Sequence, residues 1–176
     1  MSYPDLEAHI RGTSRYIDDM PDPAGLLHAA AVTSAVPHAR LISIDPSPAL
    51  DLPGIAAILT ASDIPGANQI GGIIQDEELF AETAVHFIGQ PVAVVVAETP
   101  HQARAGARAV ALELEELAAI FDAREAAAAG ELITASRTLD AGDVDAAWAD
   151  CDVIVEGAAE TAGQEHLYLE TQAALA

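Results

Sequence analysis

The run Pro91-Val92-Ala93-Val94-Val95-Val96-Ala97 limits what this chain can fold into more than any other segment. It is continuous, uncharged and largely β-branched, which suits a strand buried on both faces. A helix start follows at once. Thr99 can cap the orphan amides, Pro100 suits the first helical position, and Gln102 completes a capping box. Ala103, Ala107 and Val110 then recur at i, i+4 and i+7, small enough to let a helix lie close to a sheet. Ala111 to Glu115 alternates apolar and acidic, as a strand with one wet face does. Strand, helix and strand in so short a span predict a crossover or split α/β unit.

The flanking segments are shorter. Leu26–Thr33, Ala39–Ile44 and Ile55–Leu59 read as strands, and Ser47–Gly54, rich in proline, as a loop. Thr60-Ala61-Ser62-Asp63 predicts one helical turn stopped by Pro65-Gly66. Residues 66–84, with Gly66, Gly71, Gly72 and four acids, read as a long exposed loop, and residues 1–25 as polar chain with turns. After Asp122 the composition shifts. Ala123–Ala129 predicts a helix ended by Gly130, and Gly142-Asp143 opens a second one through Trp148. Val153-Ile154-Val155 and Leu167–Ala176 read as strands.

The expected fold class is therefore α+β or α/β. One mixed sheet is built from the segments near 26–33, 39–44, 55–59, 91–97 and 110–115, with the 99–109 helix against it, and a smaller α+β portion follows. The subdomain boundary falls near 116–140, giving domains at 1–120 and 121–176. A chain stopping inside a strand leaves unpaired backbone groups, so residues 140–176 are expected to be poorly packed, swapped between chains, or paired across a homodimer's exposed strand edges.

Composition narrows the partners. The chain has 176 residues, 51% of them apolar and only 4% aromatic, so its core must come from Ala, Val, Ile and Leu. Seven basic residues, all arginine, stand against 28 acids, for a formal net charge of -21. Such a chain repels phosphate backbones and anionic lipid, which excludes nucleic acid and membrane surfaces as partners. No apolar stretch approaches the ~20 residues of a membrane span. The start Met-Ser-Tyr-Pro-Asp-Leu-Glu lacks the features of an export signal, so a cytoplasmic location is expected. The single cysteine, Cys151, excludes an internal disulfide and a cluster of thiolate ligands.

Chemistry-bearing residues are sparse. His28 and His38 would form a metal site only if neighbouring strands brought them together; scattered surface histidines are the plainer reading. Glu77 with Glu78, or Asp18 with Asp19, could pair for acid–base work, but adjacent side chains usually point apart. Cys151 lies between Asp150 and Asp152, two anions that oppose thiolate formation. Gly71-Gly72 lacks the Lys-Ser/Thr of a phosphate cradle, and no serine stands in a Gly-x-Ser-x-Gly elbow. Gln164-Glu165-His166 is the densest polar cluster; it could line a site or hydrogen-bond its own loop. The residues themselves therefore designate no catalytic, cofactor-binding or metal position.

Taken in order, several segments resemble the α/β hammerhead domain of the aldehyde oxidase and xanthine dehydrogenase family, the N-terminal part of its molybdenum-binding subunit. They are Gly12-Thr13-Ser14-Arg15-Tyr16-Ile17-Asp18-Asp19, Leu27-His28, Pro37-His38-Ala39-Arg40, the stretch from Leu52-Pro53-Gly54 to Ile64-Pro65-Gly66, and Gly89-Gln90-Pro91 through Thr99. Glu113-Leu114-Glu115-Glu116-Leu117 is similar to a family Glu-Tyr-Glu-Glu-Leu-Pro, with Leu114 for the tyrosine and Ala118 for the proline. Gly142–Trp148 resembles the linker to the cofactor-side domain. Gly163–Gln172 resembles the xanthine dehydrogenase branch, with Leu167 for its phenylalanine.

The resemblance implies an oxidoreductase of purine metabolism. The intact enzyme hydroxylates a purine carbon with oxygen from water on a molybdopterin cofactor and passes electrons through [2Fe-2S] clusters and FAD. It implies as partners the remaining molybdenum-binding region and the iron–sulfur and FAD parts. The family's cofactor and substrate residues come after the Gln-Glu-His segment, so none transfers to a position here. The chain alone is expected to hold no cofactor and to be inactive. The other reading is a non-enzymatic assembly module complete at 176 residues, binding a partner through a sheet edge or the 66–84 loop.

Overall fold

The computed structural model describes residues 4–166 and 172–176. The chain divides into two compact units, one of residues 23–131 and one of residues 1–22 with 132–176.

In the first unit, β5 (Pro91–Ala97) is the central strand of a three-stranded sheet in the order β1-β5-β3, with β1 at His28–Thr33 and β3 at Ile55–Thr60. Both pairings are antiparallel, with Val94 opposite Ala31 on one side and Leu59 on the other. Val92, Ala93, Val95 and Ala97 are buried, as the β-branched run predicts. A second antiparallel sheet has the order β4-β2-β6, from Ala84–Val85, Ala39–Asp45 and Ala111–Glu116.

The strand segments thus form, but the single mixed sheet is corrected to two antiparallel ones. Adjacency along the chain does not set pairing here: β1 and β3 both pair with the distant β5, and β2 with β6. Ile44 and Leu112 pack against both core clusters, Val32, Ala49, Ala93, Val95 and Val110 in one, Ala39, Ala81, Val85 and Val92 in the other. The wet face of β6 is as expected. Ser43 donates to Glu113 Oε2 at 2.8 Å, and Arg40 meets Glu115 at 3.0 Å.

Helix α3 (Pro100–Ala109) lies on β1 and β5. The Thr99 hydroxyl accepts from Gln102 N at 3.2 Å and donates to Gln102 Oε1 at 2.8 Å. Gly106 lets it sit close, because a Cβ there would lie 2.8 Å from both Ile55 Cδ1 and Val95 Cγ1. Ser47–Leu50, read as loop, is a one-turn helix, α2. Asp45 supplies the reason: its carboxylate accepts from Ser47 N at 2.9 Å and starts the turn despite the prolines. Thr60 N donates to Asp63 Oδ2 at 2.8 Å in the expected turn over residues 61–63. The 66–84 segment is largely exposed through Leu79, but its end is not loop as expected. Ala81 is buried against β5, its amide donating to Pro91 O at 2.8 Å, and Ala84 opens β4. Asn68 holds the base, donating to Phe80 O at 2.7 Å and accepting from Phe80 N at 3.0 Å. Helix α4 (Ala123–Ala129) is capped by Asp122 and ends at Gly130, whose φ is 80°.

In the second unit, Pro4–Arg11 is a helix, α1, where the sequence suggests only polar turns. An i,i+4 ion pair from Glu7 to Arg11 at 2.7 Å supports it. Helix α5 (Val144–Ala149) starts on Asp143, which accepts from Ala146 N at 2.9 Å. The strand expected at Val153–Val155 does not form. Its side chains are exposed, and among the described residues no strand pairs with it. Of the strand expected at Leu167–Ala176, Leu167–Thr171 lie outside the described residues, and residues 172–176 are in no helix or strand.

Candidate functional site

The polar residues best ordered by the fold converge on one turn of the first unit. Ser34, buried at the end of β1, donates its amide to Gln90 O at 2.9 Å, and its carbonyl accepts from Gly89 N at 2.8 Å. Its hydroxyl donates to Val36 O at 2.7 Å and accepts from Val36 N at 3.1 Å. Gln90, only 5% exposed, accepts the amide of His86 on Oε1 at 2.6 Å. Gly89 closes the turn with φ 92°, a conformation that favours glycine. With its backbone tied inward, the turn leaves Phe87 and Ile88 outside, 55% and 63% exposed.

His38 stands beside this turn. Its Nδ1 donates to the carbonyl of Ala118 at 2.6 Å, and Leu117 N donates to His38 O at 2.9 Å, so the chain leaving β6 is held against the start of β2. The rings of His38 and His86 stack with centroids 5.9 Å apart and planes at 28°. Past Ala118 the chain carries Ile120 and Phe121, the latter 80% exposed, to α4. Together these segments wall a groove of about 870 Å³, apolar apart from the two imidazoles and Glu131. A second depression of about 560 Å³ shares His86 and Phe87 with it and is lined on its far side by Asp76, Glu77 and Glu78. The arrangement suits binding of an apolar group; it contains no nucleophile with an adjacent base.

Of the residues weighed from the sequence, Glu77 and Glu78 border the same depression, and the two histidines are not brought together. His28 opens β1 in the first sheet and His38 precedes β2 in the second, so strand pairing does not unite them; the neighbour of His38 is His86. Among the described residues no group of three or more His, Cys, Asp or Glu side chains is arranged to hold a metal ion. Glu77 uses its backbone, its amide donating to Gln69 Oε1 at 2.9 Å and its carbonyl accepting from Ile70 N at 2.8 Å. Glu78 accepts from Glu82 N at 3.2 Å. Asp19 caps the turn over residues 17–19 by accepting from Tyr16 N at 3.0 Å. Exposed Cys151 donates to Ala147 O at 3.2 Å. Gly71 N donates to Gln69 Oε1 at 2.7 Å, and Gly72 is open to solvent around its Cα. Glu165 accepts from His166 N at 2.9 Å within its own loop. His86 counted in the sequence only among six scattered histidines, and Phe87 and Phe121 went unremarked; the one local signal was Gly89-Gln90-Pro91 directly behind Phe87-Ile88.

Among the described residues no helix is long and apolar enough to cross a membrane. The model of the aldehyde oxidase and xanthine dehydrogenase a/b hammerhead domain matches residues 11–118, and that of the molybdopterin cofactor-binding domain matches residues 126–176. The chain is 44% identical to the xanthine dehydrogenase of Oryza sativa subsp. japonica over 94% of its own length and 12% of the relative's. It is 39% identical to aldehyde oxidase 2 of Cavia porcellus over 95% of its length, again 12% of the relative's. The solved aldehyde oxidoreductase of Desulfovibrio gigas is similar to it with a TM-score of 0.60 and 36% identity over 65% of this chain and 14% of that one. The chain thus spans about an eighth of the curated relatives' length, in their molybdenum-binding region. With the hammerhead match covering the whole of the two-sheet unit apart from α4 and its flanks, the chain belongs to the aldehyde oxidase and xanthine dehydrogenase family.

Proposed function

We propose that this chain is scaffold in a molybdenum hydroxylase similar to xanthine dehydrogenase, with the hammerhead domain at 1–120 and the first part of the molybdenum-cofactor domain at 121–176. The single observation behind the reading is the 44% identity to a xanthine dehydrogenase along 94% of the chain. The intact enzyme would hydroxylate hypoxanthine or xanthine in the cytoplasm with oxygen from water. Its electrons would leave through [2Fe-2S] clusters and FAD carried by partner domains or subunits.

The two grooves of the first unit are poorly suited to molybdopterin. The cofactor carries a phosphate, yet the larger groove is mostly apolar, and the smaller one sets Asp76, Glu77 and Glu78 among glutamines and apolar residues, with no arginine in either. Every buried side-chain nitrogen or oxygen among the described residues already has a partner. No catalytic, cofactor-binding or metal residue is therefore assigned to this chain; its part is to build and present a surface to the rest of the enzyme.

The test is molybdenum content and hypoxanthine oxidation, measured on the purified chain and on a rice xanthine dehydrogenase whose matching segment is replaced by this chain. The expected result is neither property in the chain alone and both in the chimera. Turnover by the isolated chain, or an inactive, molybdenum-free chimera, overturns the reading.

A further inference from the structure

Two of the chain's three phenylalanines, Phe87 and Phe121, stand exposed around one groove, joined there by Ile88 and Ile120. A contiguous apolar surface of this kind on a chain of net charge -21 marks a binding face. The turn that presents Phe87 is rigid, because buried Ser34 and Gln90 hold its backbone at 2.6 to 2.9 Å. Phe87 and Ile88 are therefore already placed for a partner, at little cost in ordering. The surface has a second half. His86 and Phe87 also border the depression of Asp76, Glu77 and Glu78, and no arginine lines either part. A complementary segment would lay apolar side chains in the larger groove and cations in the smaller. A second copy of the chain fits poorly, since it brings the same acid excess to an acidic rim.

We propose that this two-part groove docks a polypeptide segment of the enzyme's remaining molybdenum-binding region, one whose apolar side chains are followed by Lys or Arg; this rests on the function proposed above. The relatives' length supports that source, since about seven eighths of it lies outside the matched segment. Phe87 and Phe121 are the anchors, and Glu77 and Glu78 set orientation and partner choice.

The test co-expresses the full, tagged chain with rice xanthine dehydrogenase polypeptide lacking the matching segment and measures co-purification. The variants are Phe87→Ser with Phe121→Ser, and Glu77→Lys with Glu78→Lys. Phe87, Phe121 and Glu77 are exposed, so the serine pair should match wild type in circular dichroism and melting temperature. Glu78 is half-buried and accepts from Glu82 N, so the lysine pair is compared with Glu78→Gln, which keeps an acceptor and removes the charge. The expected result is at least tenfold less rice polypeptide recovered with the serine pair. The lysine pair should lose severalfold at low salt, and the loss should shrink as salt rises. If wild type retains the rice polypeptide and both variants retain it equally, the groove is not the docking site, while the function proposed above stands. If wild type retains none, both fall. If the serine pair instead dissolves a homodimer without changing rice polypeptide recovery, a second copy occupies the groove and the proposal is overturned.

Discussion

Gln90 and His86 are joined by a hydrogen bond of 2.6 Å from the His86 amide to the Gln90 side-chain oxygen, and this bond fixes the turn that carries Phe87. Gln90 is almost fully buried, so its carboxamide has no water to fall back on. Replacing it with methionine keeps the bulk and removes the acceptor. Gln90→Met should destabilise the chain by about 1 kcal/mol, the cost of losing a part-buried hydrogen bond whose donor, the His86 amide, lies on an exposed residue. Urea denaturation would show a lower midpoint at unchanged slope; an unchanged midpoint would mean that water reaches the His86 amide.

Gly106 presents a contest between two effects of known sign. In an exposed helix, Gly→Ala adds up to about 1 kcal/mol of stability. Here the new methyl would meet Ile55 Cδ1 and Val95 Cγ1 at 2.8 Å. The Ile55 methyl is the far end of a flexible side chain, but the short Val95 side chain is fully buried in the central strand and cannot retreat. Overpacking should win, so Gly106→Ala is expected to cost about 1–3 kcal/mol. Adding Val95→Ala should recover part of the loss relative to the sum of the single changes. Strict additivity in the double-mutant cycle would show that the two sites do not touch.

What the sequence made legible is what is local. The β5–α3 unit could be read because its signals, a β-branched run, a Thr-Pro cap and a small-residue stripe, each act within a few residues. The antiparallel pairing of β5 with β1 and β3 is non-local and leaves no such trace. Val153–Val155 has strand composition but lacks a ladder partner among the described residues, and composition cannot supply one. Helix α1 was missed because its support, the Glu7–Arg11 pair, lies on its surface rather than in an apolar stripe. Glu77 and Glu78 border one depression although they are adjacent in sequence, and Glu78 accepts from Glu82 N, a contact the sequence did not signal. The groove was not readable. It joins Pro37-His38, the 86–88 turn and the chain after β6, which are distant in sequence and share no motif.

Thr99 tests the helix start. Its hydroxyl accepts from Gln102 N and donates to Gln102 Oε1, so one side chain settles an orphan amide and ties down the Gln102 side chain, while the expected return bond from Gln102 to the Thr99 amide does not form. Thr99→Ala should cost about 0.5–2 kcal/mol, with Thr99→Ser restoring most of it. If serine fails to rescue, the methyl group and not the hydroxyl is what matters at this position.

Asp45 sets the expected response to acid. The Ser47 side chain and then the Ser47 amide hold its carboxyl below the ordinary value of 3.8, against a smaller opposing effect of burial. A carboxyl depressed in the folded state binds protons less readily there than in the unfolded chain. Its stabilising contribution is therefore complete above the ordinary value and is lost as pH falls through the folded-state one. Asp45→Asn removes that titration while leaving an oxygen to face Ser47 N. The melting temperature of wild type should exceed that of Asp45→Asn at neutral pH, and the gap should narrow as pH drops below about 4. Because the group is solvent-exposed, added salt should reduce the gap at neutral pH as well. A gap that stays constant from pH 7 to the acid limit would show that the difference between Asp and Asn is one of shape, with charge playing no part in starting α2.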